Sequence, residues 1–431
     1  MAFHFSVNPS QGITLTYNMN KKAYPIFILI IIFCFNVFPQ YKHFITVAKN
    51  GSGDFQTITA AIESLPMFNY ERVVIYVKNG TYNEKFRITQ DYITIKGESR
   101  DSSIIEYSQL RTDWIVDKDS IGPAVINIYA DDIILENLTI KNTQPLIGPH
   151  AFAIYGDGTR TIILNCNVLS KGGDTVSLWN YKTGMYYHAD CTFSGSVDYV
   201  CPRGWCFIKN SKFYELRKTA SIWHAGGNDI NEKFVLRNCS FDGVNGFQLG
   251  RHHYEAQFYL LNCQFSKHMA DTQIYRVSYP DQPEKDRPFN WGKRYYYYNC
   301  HRDSCDYNWF KNNLETAKNS PAPSDITPAW TFDNKWDPES IESPKIIKHE
   351  IHEGYILLFY NDQLTVIGKP ILKSKSGIEF KYDSGAGSDT ICFNFKGACS
   401  ESDLIGLRLI NSSKIYGNTA SVKERDAVFD L

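Results

Sequence analysis

FVLRNCSF at residues 234–241 and FYLLNCQF at residues 258–265 share one pattern: a short apolar strand closed by Asn, Cys, a polar residue and Phe. The pattern recurs upstream as IILENLTI around Asn137, TIILNCNV around Cys166, MYYHADCTF around Cys191 and CFIKNSKF around Ser211, and downstream as YYYYNCHR around Cys300. Its Asn or Asp falls at 137, 165, 190, 210, 238, 262 and 299, in steps of 28, 25, 20, 28, 24 and 37. A period of this size built from β-rich units marks a solenoid. Between the copies runs a second strand series, AFAIYG, DTVSLW, VDYVC, ASIWHAGG, GFQLGR and QIYRVSY, each followed by turn residues. Two or more strands per repeat with no helical period predict a parallel β-helix, whose equivalent positions stack about 4.8 Å apart. The repeated Cys then forms an inward ladder of small buried thiols, since stacked equivalent positions rarely offer disulfide geometry.

The stacking gives meaning to polar residues of the second series. His150, Asp174, Asp198, His224, Arg251 and Arg276 follow one another at steps of 24, 24, 26, 27 and 25, which places them near one face. Asp174 and Asp198 sit one coil apart, so their carboxyl groups approach within about 5 Å if both project outward. Two carboxylates that close do not both ionise easily; one becomes a proton donor and the other stays an anionic nucleophile. Arg251, nominally two coils from Asp198, has the reach to hold it ionised. The plainer alternative is a solvated aspartate ladder that closes turns or binds a cation.

Composition bounds the partners. The chain has 431 residues, 45 basic and 46 acidic, for a net charge of -1, so nothing global favours nucleic acid or an anionic membrane. At the N-terminus, Lys21 and Lys22 precede an apolar run from Ile26 to Phe38 that is short for a bilayer span, the pattern of a secretory signal peptide. The expectation is an exported protein, periplasmic, cell-surface or extracellular, with translation starting at Met19, an over-called extension at 1–18, cleavage near Gln40 and no transmembrane domain afterwards.

At this point the sequence resembles the pectin methylesterase family. The resemblance rests on GSGDFQTITAAIESLP at 51–66, VVIYVKNGTYNEKFRI at 73–88, ITIKGES at 93–99, GDTVSLW at 173–179, GSVDYV at 195–200 and LGR at 249–251, in order over much of the chain. It implies a right-handed parallel β-helix, an all-β fold, at 41–318. It also implies pectin, a methylated polygalacturonan, as substrate, and no cofactor or metal. Carried over residue by residue, Asp174 is the general acid/base, Asp198 the nucleophile and Arg251 its arginine partner. Asp198 then attacks the methyl ester carbonyl, and Asp174 protonates departing methanol and later deprotonates the water that frees the acyl-enzyme. Three positions depart from the pattern: two glutamines of the oxyanion site are replaced by His150 and Gly173, and a tryptophan after the arginine by His253, as in a divergent bacterial-type branch. His150, His224 or backbone N–H groups are the candidate replacements.

Trp179, Tyr181, Tyr199 and Trp223 are candidate sugar platforms, with core stacking as the alternative. His224 and His253 read equally as substrate contacts or as stacked, hydrogen-bonded imidazoles. Arg203 is placed on a solvated turn, with a substrate carboxylate as the second reading. SPAPSDITPAW, from Ser320 to Trp330, opens a Pro-rich connection over 319–344, and YILLFY, QLTVIG, GIEFKY and TICFNF predict a small β-sandwich-like appendage over 345–431. The protein is expected to be a monomer. The rival functions are a pectate lyase or polygalacturonase on the same fold, or a non-catalytic uronide-binding protein.

Overall fold

The computed structural model describes residues 42–227, 229–286 and 290–429, together with the backbone of an antiparallel pair, Val7–Asn8 with Gly12–Ile13. The expected signal peptide otherwise lies outside the described residues. From Phe44 to Arg302 the chain winds through three parallel sheets of ten, nine and eight strands, each strand pairing with its equivalent one coil away. This is the parallel β-helix that the repeat predicts.

The repeated Asn performs a geometric task. Asn137, Asn165, Asp190, Asn210, Asn238, Asn262 and Asn299 all adopt φ between 50° and 60°, the left-handed region that Asn and Asp enter more readily than other side chains. Each turns the chain from the first sheet into the second. Their amides also stack: Asn238 Nδ2 donates to Asn210 Oδ1 at 3.1 Å, Asn262 to Asn238 at 3.1 Å and Asn299 to Asn262 at 2.9 Å. The next residue points inward, so Cys166, Cys191, Cys239, Cys263 and Cys300 form a column of buried free thiols, with Ser211 taking one place. Cys392 and Cys399 are also free, and half-buried.

Inside the coils, Ile, Val, Leu and Phe from all three sheets make one core, including Ile95, Ile105, Leu135, Ile154, Phe213 and Phe241. Helix Ile58–Glu63, capped by the Thr57 side chain accepting from the Ala60 N–H, adds Ile58, Ala61 and Ile62 to it. A terminal coil needs such a cover, because no further strand hides its apolar interior.

A second apolar layer coats the outside of the first sheet. Tyr187, Phe207, Tyr259 and Tyr296 point outward there and are covered by Leu314, Ile326, Phe332 and Trp336 from the segment after the last coil. Trp330 stands edge-on to Tyr259, with centroids 5.1 Å apart. Beyond it, a six-stranded antiparallel sheet starting at Ile346–His352 and a two-stranded pair, Leu364–Ile367 with Lys414–Gly417, enclose a separate core that includes Leu358, Leu364, Phe393 and Ile415. Polar ties bind this unit to the coils. Arg72, buried, donates from its guanidinium to Asn418 O at 2.7 Å, and the Ala420 N–H donates to buried Asp132 at 2.9 Å.

Candidate active site

The third sheet carries the polar ladder. Val176 pairs with Val200, and the same register two residues earlier sets Asp174 beside Asp198. The Asp174 N–H donates to Val197 O at 3.1 Å, and the Asp198 N–H to Ala220 O at 2.7 Å, pinning each to the next coil. Both aspartates are left-handed, at φ 55° and 58°, as is Val197 at 51°. For a β-branched residue this backbone is strained, and strain of that kind persists where the surroundings hold it.

Arg251 lies on the strand Gln248–His252, two coils beyond Asp198, and its side chain spans the gap. Its Nε donates to Oδ1 and Oδ2 of Asp198 at 2.9 and 3.1 Å, and its Nη2 to Oδ2 at 2.7 Å. Burial pushes both carboxyls up, Asp174 to about 7 and Asp198 to about 6. Arg251 pulls Asp198 back, while the Asp174 charge raises it further. Asp174 feels the charges of Arg203, Arg111 and Arg251, but no hydrogen bond joins it to any of them. Of the pair, Asp198 is therefore the more readily ionised and Asp174 the readier proton donor.

His150 stands on the coil before Gly173, with Nε2 at 3.6 Å from Asp174 Oδ1 and its side chain 46% exposed. Burial and the neighbouring Arg111 hold its pKa below the usual histidine value, so it faces the pair as a neutral imidazole. At Gly173 a Cβ would come within 3.1 Å of the carbonyl oxygens of Ser196 and Val197, a tight contact for any side chain. Arg111 escaped the sequence because it lies outside the repeat, at the start of helix Arg111–Val116, where its N–H donates to His150 O at 2.9 Å.

Trp179 and Trp223 flank the site on either side of Arg203, whose guanidinium carbon lies 3.7 and 4.7 Å from their ring centroids. Arg203 is thus no solvated turn: two indole faces hold its charged end. His253 sits edge-on to Trp223 at 5.0 Å and meets the Tyr279 hydroxyl at 3.1 Å.

Two candidates are corrected. Tyr199, next to outward-facing Asp198, points the opposite way and is fully buried against Phe213, so it cannot be a sugar platform. His224 is likewise buried: its Nδ1 accepts from the Gly226 N–H at 3.0 Å, which leaves Nε2 to donate to Gly204 O at 2.8 Å. Both ring nitrogens are used by backbone, and His224 is a structural, neutral imidazole whose pKa burial lowers to about 4. Arg276 pairs one strand beyond, against His252.

Fold and site together define a parallel β-helix protein with an arginine-braced aspartate pair on its third sheet. A family model described as Pectinesterase matches residues 44–260, half of the chain, and that span holds Asp174, Asp198 and Arg251. The chain belongs to the pectinesterase family. Among curated relatives from Arabidopsis thaliana, a probable pectinesterase/pectinesterase inhibitor is 27% identical over 48% of this chain and 38% of its own length. A probable pectinesterase from the same plant is 28% identical over 49% and 59%. The match thus spans only part of the relatives' length. Among solved structures, a pectin methylesterase from Erwinia chrysanthemi aligns over 69% of this chain and 98% of its own, at 21% identity and a TM-score of 0.54. One from carrot aligns over 67% and 93%, at 18% identity and a TM-score of 0.53. These likenesses establish the shared fold.

Proposed function

We propose that the protein hydrolyses methyl esters of a polygalacturonan, releasing methanol and leaving free carboxylates. The observation that carries this reading is the pairing of Asp198, held at both oxygens by Arg251, with Asp174 one coil away, its pKa raised by burial to about 7. The ionised Asp198 attacks the ester carbonyl carbon. As the tetrahedral adduct collapses, the methoxy group leaves with the proton of Asp174, giving methanol and an acyl-aspartate anhydride. Asp174, now a carboxylate, takes a proton from water as it attacks the anhydride, which frees the uronate and restores Asp198. His150, beside Asp174, and Trp179 and Trp223, beside the groove, are the residues we assign to substrate contact. Family membership supports the substrate class, as do the related solved structures titled as pectin methylesterases, one of them in complex with a hexasaccharide. Export fits such a substrate and the lysine-flanked apolar run at 26–38.

The test is to incubate the protein with methylated and demethylated pectin while following methanol, reducing ends and unsaturated ends in parallel. Methanol alone is expected. Reducing ends without methanol would replace this reading with a hydrolase, unsaturated ends with a lyase, and binding without product with a carbohydrate-binding protein. Asp198→Ala should release no methanol while keeping its fold.

A further inference from the structure

Val197 and Asp198 are consecutive left-handed residues, at φ 51° and 58°, and neither is glycine. A β-branched side chain rarely enters this region, and such backbone persists where neighbouring groups fix it. Most of the fixing bonds run between backbones. The Ser196 N–H donates to Gly172 O at 2.9 Å, the Asp198 N–H to Ala220 O at 2.7 Å, and Val197 O accepts from the Asp174 N–H at 3.1 Å. The Val197 N–H goes instead to a side chain, the Thr219 hydroxyl oxygen, at 3.3 Å.

Thr219 is itself held from the interior. Its hydroxyl donates to Glu215 Oε1 at 3.3 Å, and the same oxygen accepts from the Arg217 N–H at 2.9 Å. Glu215 ends the strand Lys212–Glu215 with its side chain fully buried. Its partners in the flanking coils are Gly195 and Gly243, which leave the carboxyl room just past the inward column of Phe193, Phe213 and Phe241. A carboxyl among phenylalanines is costly to bury unless it is hydrogen-bonded. Here its bonds form a chain from the interior to the Asp198 turn, running from Glu215 through Thr219 to the Val197 N–H. Burial, with a smaller push from the Asp198 charge, raises the Glu215 pKa to about 8, so near neutral pH it is mostly uncharged and adds little repulsion beneath the aspartate pair.

Val197 also joins the two aspartates. Its carbonyl is bonded to the Asp174 backbone and Asp198 is its neighbour in the chain, so a shift of this one residue changes how both acids stand to each other and to Arg251.

We propose that Thr219 and Glu215 are positioning residues: acting through the Val197 N–H, they hold the left-handed step that presents Asp198 to Arg251 and sets its place beside Asp174. The consequence for turnover rests on the esterase reading above; the consequence for Asp198 itself does not. Thr219→Val keeps the shape of the side chain but removes the hydroxyl, which leaves the Val197 N–H and one bond of Glu215 Oε1 unmade. Thr219→Ser keeps the hydroxyl, and the Glu215→Gln carboxamide oxygen accepts the same two bonds.

The experiment compares these three full-length variants with the wild type in two readouts. One is kcat and KM for methanol release from a methylated oligogalacturonate, per folded molecule. The other is the titration of the Asp198 carboxyl by carbon-13 NMR, its signal assigned with Asp198→Asn. Thr219→Val should lower kcat about tenfold or more with KM changed less than about twofold, since a reacting group displaced by about 1 Å loses rate without losing substrate. Its Asp198 should titrate at higher pH. Arg251, Asp174, His150 and Glu215, the charged and titratable groups around Asp198, are all retained in that variant, so the shift reports a loosened hold by Arg251. Thr219→Ser and Glu215→Gln should restore both readouts.

Thr219→Val with lowered stability but unchanged kcat per folded molecule and unchanged Asp198 titration would overturn the proposal. So would equal losses in Thr219→Val and Thr219→Ser. Should Thr219→Val fail to fold, hydrogen exchange of the Val197 amide in the wild type decides: protection is expected, and exchange at the rate of a free amide would overturn the proposal. A wild type that releases no methanol would remove the esterase reading and leave the Asp198 titration to judge the positioning role.

Discussion

Arg251 holds both carboxylate oxygens of Asp198 from two coils away, at 2.7–3.1 Å, while Asp174 on the adjoining coil receives no guanidinium hydrogen bond. That asymmetry divides two otherwise equivalent acids. Replacing Arg251 by Leu leaves Asp198 buried without its counter-ion, so its pKa rises and the ionised carboxylate becomes scarce at neutral pH. We expect kcat/KM for methanol release to fall on the order of 100-fold or more. The acidic limb of the pH profile should move to higher pH. A variant with an unmoved acidic limb would show that Arg251 does not set the ionisation of Asp198.

The pH–rate profile of the wild type follows from the same pair. Activity needs Asp198 ionised, so it rises with pH through about 6, and needs Asp174 protonated, so it falls through about 7. The two groups titrate as a coupled pair. A narrow bell centred between those values is expected for kcat/KM on a soluble methylated oligogalacturonate. A plateau extending to pH 9 would contradict the role of Asp174 as proton donor.

The asparagine ladder bears on stability rather than chemistry. Asn238 occupies φ 53°, donates to Asn210 and accepts from Asn262. Asn238→Ala loses both bonds and puts a side chain with no local hydrogen bonds into left-handed backbone, at a cost of about 1–2 kcal/mol. Asn238→Gly removes the bonds but tolerates the backbone, so it should cost less. Thermal or urea unfolding of the two variants measures the difference, and an equal loss would assign the whole effect to the ladder bonds.

Glu215 lies buried beneath the Asp198 turn. One oxygen accepts from the Arg217 N–H at 2.9 Å and the Thr219 hydroxyl at 3.3 Å, and the other has no hydrogen-bond partner among the described residues. Burial pushes its pKa from 4.5 to about 8. In that window the unfolded chain gives up a proton that the folded one keeps, so Glu215 stabilises the fold below about 4.5 and that stability is lost as pH rises through about 8. Glu215→Gln should melt close to wild type at pH 5 and about 2–4 °C higher at pH 8.5. A variant less stable at both pH values would mean that the carboxyl is ionised in the fold.

Much of this could be read along the chain. A solenoid repeats its solution to one packing problem, so the Asn-Cys copies, the inward thiols and the 24-residue step from Asp174 to Asp198 are all local periodicities. What escaped was side-chain direction and whatever lies outside the repeat. Tyr199 neighbours Asp198 but faces the core, and His224 falls on the spacing of the polar ladder yet spends both nitrogens on backbone. Spacing gives a residue's coil and leaves the side of the sheet open. Arg111 enters from an inserted helix with no place in the repeat.

By itself, the sequence determined the β-helix and the one-coil separation of the aspartates, because in a parallel solenoid distance along the axis follows from residue count. Only the tertiary structure decided how the two acids differ. Burial and the reach of Arg251 across two coils set their protonation, and the closing of Trp179 and Trp223 over Arg203 brings together residues that share no single period. Both depend on side-chain direction and exclusion of water, which exist only once the coils have stacked.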